Sequence, residues 1–254
     1  MSQVQSVERT LAILELLSEY PEGLGITELS KRMTLAKSTV HRLIGTLVAK
    51  GYIQKDERSG NYRLGVQCLV LASSLLNHFD IREIAKEGLH ALADRSGEVV
   101  HLCIADQNEV VYIDKVESEK TLRMYSQIGR RALMHCTGVG KALLSGWKQE
   151  KVDQMVEEKG LPRFTDTTIT DKEELYNELK LIREKGYAID EQEHEHGIRC
   201  IAAPILDYDN KVAAAISIAG PAERVTKQRI KSDLAEAILK QSQVISKKLG
   251  YIQK

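Results

Sequence analysis

The sequence is poor in most of the features that mark special classes of protein. Its 254 residues include four cysteines, four prolines, two phenylalanines and one tryptophan, and aromatics make up 5%. The cysteines, Cys68, Cys103, Cys136 and Cys200, are scattered, with no C-x-x-C pair and no dense framework. That spacing argues against a disulfide-stapled scaffold and reads as thiols in a reducing compartment. Apolar stretches such as 66–76 and 212–219 fall well short of the ~18 residues of a membrane-spanning helix. Glu8, Arg9, Glu15 and Glu19 interrupt residues 1–20, so no signal-peptide core is present there. A cytoplasmic protein with no membrane partner is expected. Neither a low-complexity tract nor an internal repeat is visible. Net charge is missing too, with 36 basic and 36 acidic side chains. Such a balance ordinarily speaks against nucleic acid, whose partners tend to be basic.

What is present is an ordinary globular composition, 43% hydrophobic and 28% charged, rich enough in apolar residues for real cores. The length favours two domains. The charge, moreover, is unevenly spread. Residues 31–63 carry eight basic side chains against the two acids Asp56 and Glu57, a local excess of +6. That is the electrostatic footprint of phosphate binding.

Beneath this basic segment the pattern is helical. Val7, Leu11, Leu14 and Leu17 predict the buried face of a first helix. Pro21 and Gly23 break it. Thr27 is the expected N-cap of a short second helix whose inner face is Leu29 and Met33. A third helix shows Val40, Leu43, Ile44, Leu47 and Val48 at i, i+3, i+4, i+7, i+8 spacing, closed by Gly51. At 100° per residue, Ser38 and Arg42 fall opposite this stripe, with Thr39 and His41 on its flanks. These are first-turn positions, where a recognition helix meets base edges. Arg42 can fork onto guanine, and Ser38 and Thr39 can donate to bases or phosphates. Lys37, nearer the core side, suits a phosphate. Residues 52–55 and 62–64 flank a Gly/Asn turn and predict a hairpin, adding Lys55 and, at its tip, Arg58. Three helices and a basic hairpin make a winged helix-turn-helix.

The run Ser38-Thr39-Val40-His41-Arg42-Leu43-Ile44 with Gly51-Tyr52, and the wing ending Tyr62-Arg63-Leu64-Gly65, resemble the IclR family of bacterial transcriptional regulators. So do Thr137-Gly138-Val139-Gly140-Lys141-Ala142, Gly197 to Pro204 (Gly-Ile-Arg-Cys-Ile-Ala-Ala-Pro) and Ser217-Ile218-Ala219-Gly220-Pro221, in matching order. The resemblance covers about residues 4 to 250. It implies an α+β protein with three parts: a winged helix-turn-helix domain (4–66), a linker helix (67–80) and an antiparallel α/β sensor domain resembling GAF and PAS modules (81–250). One departure is Ala36, which cannot cap the recognition helix with a side-chain oxygen.

For the second half, hydrophobic alternation predicts strands at 99–105, 110–116, 121–126, 187–193, 199–206 and 212–219. Capping boxes are expected at Asp80/Glu83 and Thr170/Glu173, and a terminal helical segment at 223–249. His135 to Gly140 precede a helix. Glycines there let a ligand approach the backbone, and free amides at a helix start suit a carboxylate; tight-loop packing explains the same glycines equally well. No G-x-x-x-x-G-K-[ST] pattern occurs, which disfavours a nucleotide P-loop. The resemblance implies a small-acid effector held at Gly138, Val139, Asp190, Cys200, Ser217 and position 219. Here Ala219 replaces a serine, so one hydroxyl is missing and a keto or sugar acid is expected. The implied partners are double-stranded DNA with a palindromic operator, a small organic acid, and further copies of the chain as a homodimer or homotetramer. No cofactor is implied.

Two rival readings concern the second half. Glu193, His194, Glu195 and His196, completed by His135 and Cys136, hold the donor types of a zinc site. Cys200, His135 and Asp190 are residue types of a nucleophile, base and orienter. Neither set carries a family signature, and the expected function, a repressor of a carbon-catabolism operon, needs neither metal nor catalysis.

Overall fold

The computed structural model describes residues 4–76, 80–117 and 127–252. The chain forms two compact units, Met1–Phe79 and Asp80–Lys254.

In the first unit, α1 (Gln5–Ser18), α2 (Ile26–Arg32) and α3 (Lys37–Ala49) precede a hairpin of β1 (Ile53–Lys55) and β2 (Tyr62–Leu64), and α4 (Val66–Leu76) follows. This is the expected winged helix-turn-helix. Ile13, Leu17, Leu29, Val40, Ile44, Leu47 and Ile53 form its core. The α3 stripe is buried as expected at Val40, Leu43, Ile44 and Leu47, but Val48 is exposed. At the end of α3 the Tyr52 and Gly51 amides bond the carbonyls of Leu47 and Val48, both at 2.9 Å. Gly51 supplies the left-handed φ of +75° that this cap requires.

Two expectations fail in this unit. Leu17 is buried and Leu14 packs against the core as expected, but Val7 and Leu11 are 54% and 53% exposed, and Ile13 completes the inner face of α1. The helix carries apolar residues on two faces, and periodicity alone does not say which one is inside. Nor is Thr27 the cap of α2. Gly25 is, without a side-chain bond, and Thr27 lies within the helix.

The second unit is a six-stranded antiparallel sheet with helices on both faces. Its elements are α5 (Asp80–Ser96), β3 (Val99–Asp106), β4 (Glu109–Val116), β5 (Arg131–Leu133), α6 (Gly138–Leu144), α7 (Gln149–Lys159), α8 (Lys172–Lys185), β6 (Ala188–Glu191), β7 (Ile198–Leu206), β8 (Val212–Pro221), α9 (Lys227–Arg229), a π-helical turn (Ile230–Leu234) and α10 (Ala235–Lys248). The strand order is β5-β4-β3-β8-β7-β6. Alternation along the strands divides the core in two. Leu102, Ile201, Ile216 and Ile218 pack with Leu89 of α5 and Ile238 of α10. Cys103, Cys200, Ala202, Ala215 and Ala219 pack with α6, α7 and α8 through Val139, Met155 and Leu179. The second face is lined by small residues, and this leaves room for a cavity between sheet and helices.

The cap of α8 is displaced by one residue from the expected Thr170/Glu173 pair. Asp171 is the N-cap, accepting the Glu174 amide at 2.9 Å. Both residue pairs fit the motif, and an ionised carboxylate is the stronger acceptor. The terminal helical segment begins at Lys227 rather than 223, where Thr226 accepts the Arg229 amide. β5 was not foreseen. The expected strand at 121–126 and the side chain of Asp80 lie outside the described residues. Among those residues no helix is long and apolar enough to cross a membrane.

Candidate functional site

The DNA-facing candidates all lie on two elements of the first unit. Lys37, Ser38, His41 and Arg42 are exposed on α3, and Thr39 is half-buried. Ala36 is the N-cap and makes no side-chain bond, as its identity requires. Lys55 and Arg58 are exposed on the wing. The wing turn is built by Asp56, whose Oδ1 accepts the amides of Arg58 at 2.8 Å and Ser59 at 3.2 Å. Those two bonds hold the Asp56 carboxyl below its usual range. The base of the wing is braced by paired backbone bonds between Leu24 and Tyr62, both at 2.9 Å. That brace was not legible from local pattern. Of the basic side chains in 31–63, Arg32 is occupied locally, by Glu28 at 2.6 Å and the Tyr20 hydroxyl at 2.7 Å.

In the second unit a cavity of about 390 Å³ opens between the sheet and the start of α6. All six residues expected around an effector line it: Gly138, Val139, Asp190, Cys200, Ser217 and Ala219. Strand register explains how they meet. Asp190 stands opposite Cys200, and Cys200 opposite Ala219. Ser217 stands opposite His101 of β3, with His101 Nδ1 3.3 Å from Ser217 Oγ. Tyr112 meets the His101 ring edge-on, at 5.1 Å between centroids. His101 was missed because it reaches the site only through the long-range pairing of β3 with β8, and Tyr112 because it is brought there by β3. Arg130 and Arg131 also line the cavity, and Arg131 is held by Asp106 at 2.7 Å and Glu109 at 2.5 Å.

The two motif glycines serve close packing. A Cβ on Gly140 would lie 2.3 Å from the Met134 carbonyl oxygen, and one on Gly138 would lie 3.0 Å from Cys200 Sγ. Thr137 caps α6 by accepting the Gly140 amide at 3.2 Å. The helix spans seven residues, so its dipole is modest and the cavity walls matter more than the helix end.

Burial sets the electrostatics of the cavity floor. Burial, reinforced by Glu193, pushes the Asp190 carboxyl up to about 7. Burial and Lys115 push His101 down to about 3, so its imidazole is neutral. Burial and Asp190 push the Cys200 thiol up. A raised thiol is the opposite of what a nucleophile needs. His135, the base that a catalytic reading requires, instead faces the Pro162 carbonyl at 3.0 Å. The donors of the zinc reading come together only in part. Glu193 is ion-paired with buried Lys141, and His194 Nδ1 sits 3.6 Å from Cys136 Sγ. Among the described residues no three such groups are placed to hold a metal ion.

The turn carrying Glu193 is clasped from outside by threonines. Thr165 Oγ1 donates to Gln192 O at 2.8 Å, Thr167 Oγ1 to Glu191 O at 2.9 Å and Thr168 Oγ1 to Glu193 O at 2.6 Å.

A winged helix-turn-helix unit with exposed basic side chains, followed by an antiparallel α/β unit with its own cavity, is the architecture of a DNA-binding transcriptional regulator. Comparison with known proteins gives the family. Residues 6–57 match the IclR helix-turn-helix domain, and residues 73–247 match the bacterial transcriptional regulator IclR C-terminal domain. The chain belongs to the IclR family. It is 38% identical to the HTH-type transcriptional regulator XynR of Escherichia coli (strain K12) over 251 residues, 99% of each chain. It is 33% identical to the acetate operon repressor of Salmonella typhimurium, over 98% of this chain and 91% of that one. The crystal structure of the Thermotoga maritima IclR is similar too, with a TM-score of 0.80 and 30% identity over 98% of this chain and 100% of that one.

Proposed function

We propose that the protein is an effector-controlled repressor of a carbon-catabolism operon, sensing a small organic acid such as a keto or sugar acid. The observation that carries this reading is the cavity in the second unit. Six residues chosen for an effector site converge on its walls, and its volume suits a compact metabolite. Ala219, where the family pattern has a serine, removes one hydroxyl and leaves space for a larger ligand than the smallest keto acids. The name of the acetate operon relative supports a role in carbon metabolism. Exposed Arg42, Ser38 and the wing residues support contact with DNA.

A homodimer, or a pair of such dimers, on a palindromic operator completes the proposal. It is supported by α4, where Val66, Leu69, Val70 and Leu71 are 68%, 65%, 53% and 53% exposed. Apolar side chains so concentrated on one short helix mark an interaction surface.

The test is a thermal-shift screen of keto and sugar acids. A ligand that binds the folded state at a hundred times its Kd adds about 2.7 kcal/mol of stability. One acid class should raise the melting temperature and change operator affinity. The Ser217→Ala variant should lose both effects while keeping operator binding. If no acid acts on the wild type, or if the variant responds fully, the effector reading fails.

A further inference from the structure

Gly45 occupies the interior of α3, where glycine is among the poorest helix formers. Its conformation is ordinary: it is not among the residues with left-handed φ. Its neighbourhood gives no reason for it either. Among the described residues a Cβ built there meets nothing within 4 Å, so no packing among them requires a glycine. At 100° per residue from the buried stripe of Val40, Leu43, Ile44 and Leu47, Gly45 falls on the outward face. It is three residues after Arg42 and therefore its neighbour on the helix surface. The missing side chain is thus aimed where DNA lies if α3 enters the major groove.

We propose that Gly45 is a specificity-determining residue through which the α3 backbone itself lies against a thymine methyl group in the major groove. The C5 methyl of thymine is the bulky apolar group on that groove's floor. A helix carrying a side chain at this position would be held off by about the width of a methyl group. Removing the side chain lets α3 settle deeper, bringing Arg42 and Ser38 within hydrogen-bond reach of their bases. The proposal rests on α3 being the recognition helix.

The experiment pairs a protein substitution with a DNA substitution. The wild-type full chain is used to select a binding sequence from a random duplex pool. The Gly45→Ala variant should bind that sequence about tenfold or more weakly. Hydrogen-exchange protection of the α3 amides should rise in the same variant, because alanine favours the helix. Replacing one thymine per half-site with deoxyuridine, which lacks the methyl, should restore binding by Gly45→Ala to near the wild-type level. Equal affinity of wild type and variant for the selected sequence would overturn the proposal, and so would failure of every thymine-to-deoxyuridine change to rescue the variant. Reduced α3 protection would also overturn it, since the chain itself would then be packing against this position. If the wild type enriches no sequence, the recognition role of α3 fails together with it.

Discussion

Oδ1 of Asp190 accepts the backbone amide of Glu193 at 2.7 Å. The residue expected to touch the effector therefore also shapes the turn beside the cavity. One carboxylate oxygen is committed to the backbone, and the group lines the cavity. Burial nevertheless pushes it up to about 7, so at neutral pH it is poised between acceptor and donor.

A pH signature follows from this poise. The ordinary carboxyl value is 3.8 and the folded value about 7, so the folded state holds this proton more tightly than the unfolded chain. The contribution of Asp190 to stability therefore falls as pH rises from about 4 to about 7. Asp190→Asn keeps an acceptor for the Glu193 amide but does not titrate. Relative to wild type, the variant should gain on the order of 3 kcal/mol between pH 4 and pH 8, read from urea denaturation. An identical difference at both pH values would show that Asp190 does not titrate in this range. An anionic effector beside Asp190 would bind best with the carboxyl protonated, so its affinity should be full below pH ~7 and weaken above it.

The two motif glycines should respond differently to alanine. At Gly140 the added methyl meets fixed backbone at 2.3 Å, whereas at Gly138 it meets a sulfur at 3.0 Å. Gly140→Ala should cost about 2 kcal/mol or more, as overpacking against backbone does. Gly138→Ala should cost less than about 1 kcal/mol yet narrow the cavity. Denaturant midpoints for the two variants, with effector-induced melting shifts for Gly138→Ala, separate the roles. Equal midpoints would refute the distinction.

Arg42 and Arg58 are both exposed, so neither substitution should alter stability by more than about 0.5 kcal/mol. Their effects on DNA should differ. Arg42→Ala should cost about 1–3 kcal/mol of operator affinity and relax the sequence preference at one position. Arg58→Ala should weaken all sequences alike and lower the salt slope by about one. Binding isotherms at low and high salt would distinguish base reading from phosphate contact; matching slopes for wild type and Arg58→Ala would remove Arg58 from the phosphate contacts.

Glu98 is buried, and Arg224 grips both its oxygens, at 2.7 Å and 2.6 Å. Arg229 approaches the same carboxylate at 3.5 Å. Glu98→Gln leaves two guanidinium groups without their counter-charge. It should destabilise the second unit by about 3 kcal/mol, measured by chemical denaturation. A loss under about 0.5 kcal/mol would mean that water replaces the carboxylate.

The parts of the fold that were legible in sequence are those where local pattern and tertiary demand agree. The stripe from Val40 to Leu47 has one apolar face and so one solution. The first helix has two: Ile13 and Leu17 go inside while Val7 and Leu11 stay outside, and only the partner surfaces decide between them. Caps failed where adjacent residues had equal claims, as Thr170 and Asp171 did. The effector candidates were legible because the family motifs sit at the start of α6 and on β7 and β8, and Asp190 of β6 stands in register with Cys200 of β7. His101 and Tyr112 carry no motif. His101 arrives from β3 through pairing with Ser217, 116 residues away, which no local window can see, and Tyr112 comes with it through the β3–β4 pairing.

The sealed thiols give the molecule its own timers. Cys103, Cys136 and Cys200 are buried, and burial raises all three, Cys136 to about 12. At neutral pH almost none exists as the reactive thiolate, so alkylation must wait for local opening. Cys200 lines the cavity and Cys136 sits against His194. Half-buried Cys68 lies on α4 in the other unit. A single alkylating reagent, with each site resolved by mass, therefore clocks the breathing of the two units independently, and an effector seated in the cavity would slow the Cys103, Cys136 and Cys200 clocks of its own unit.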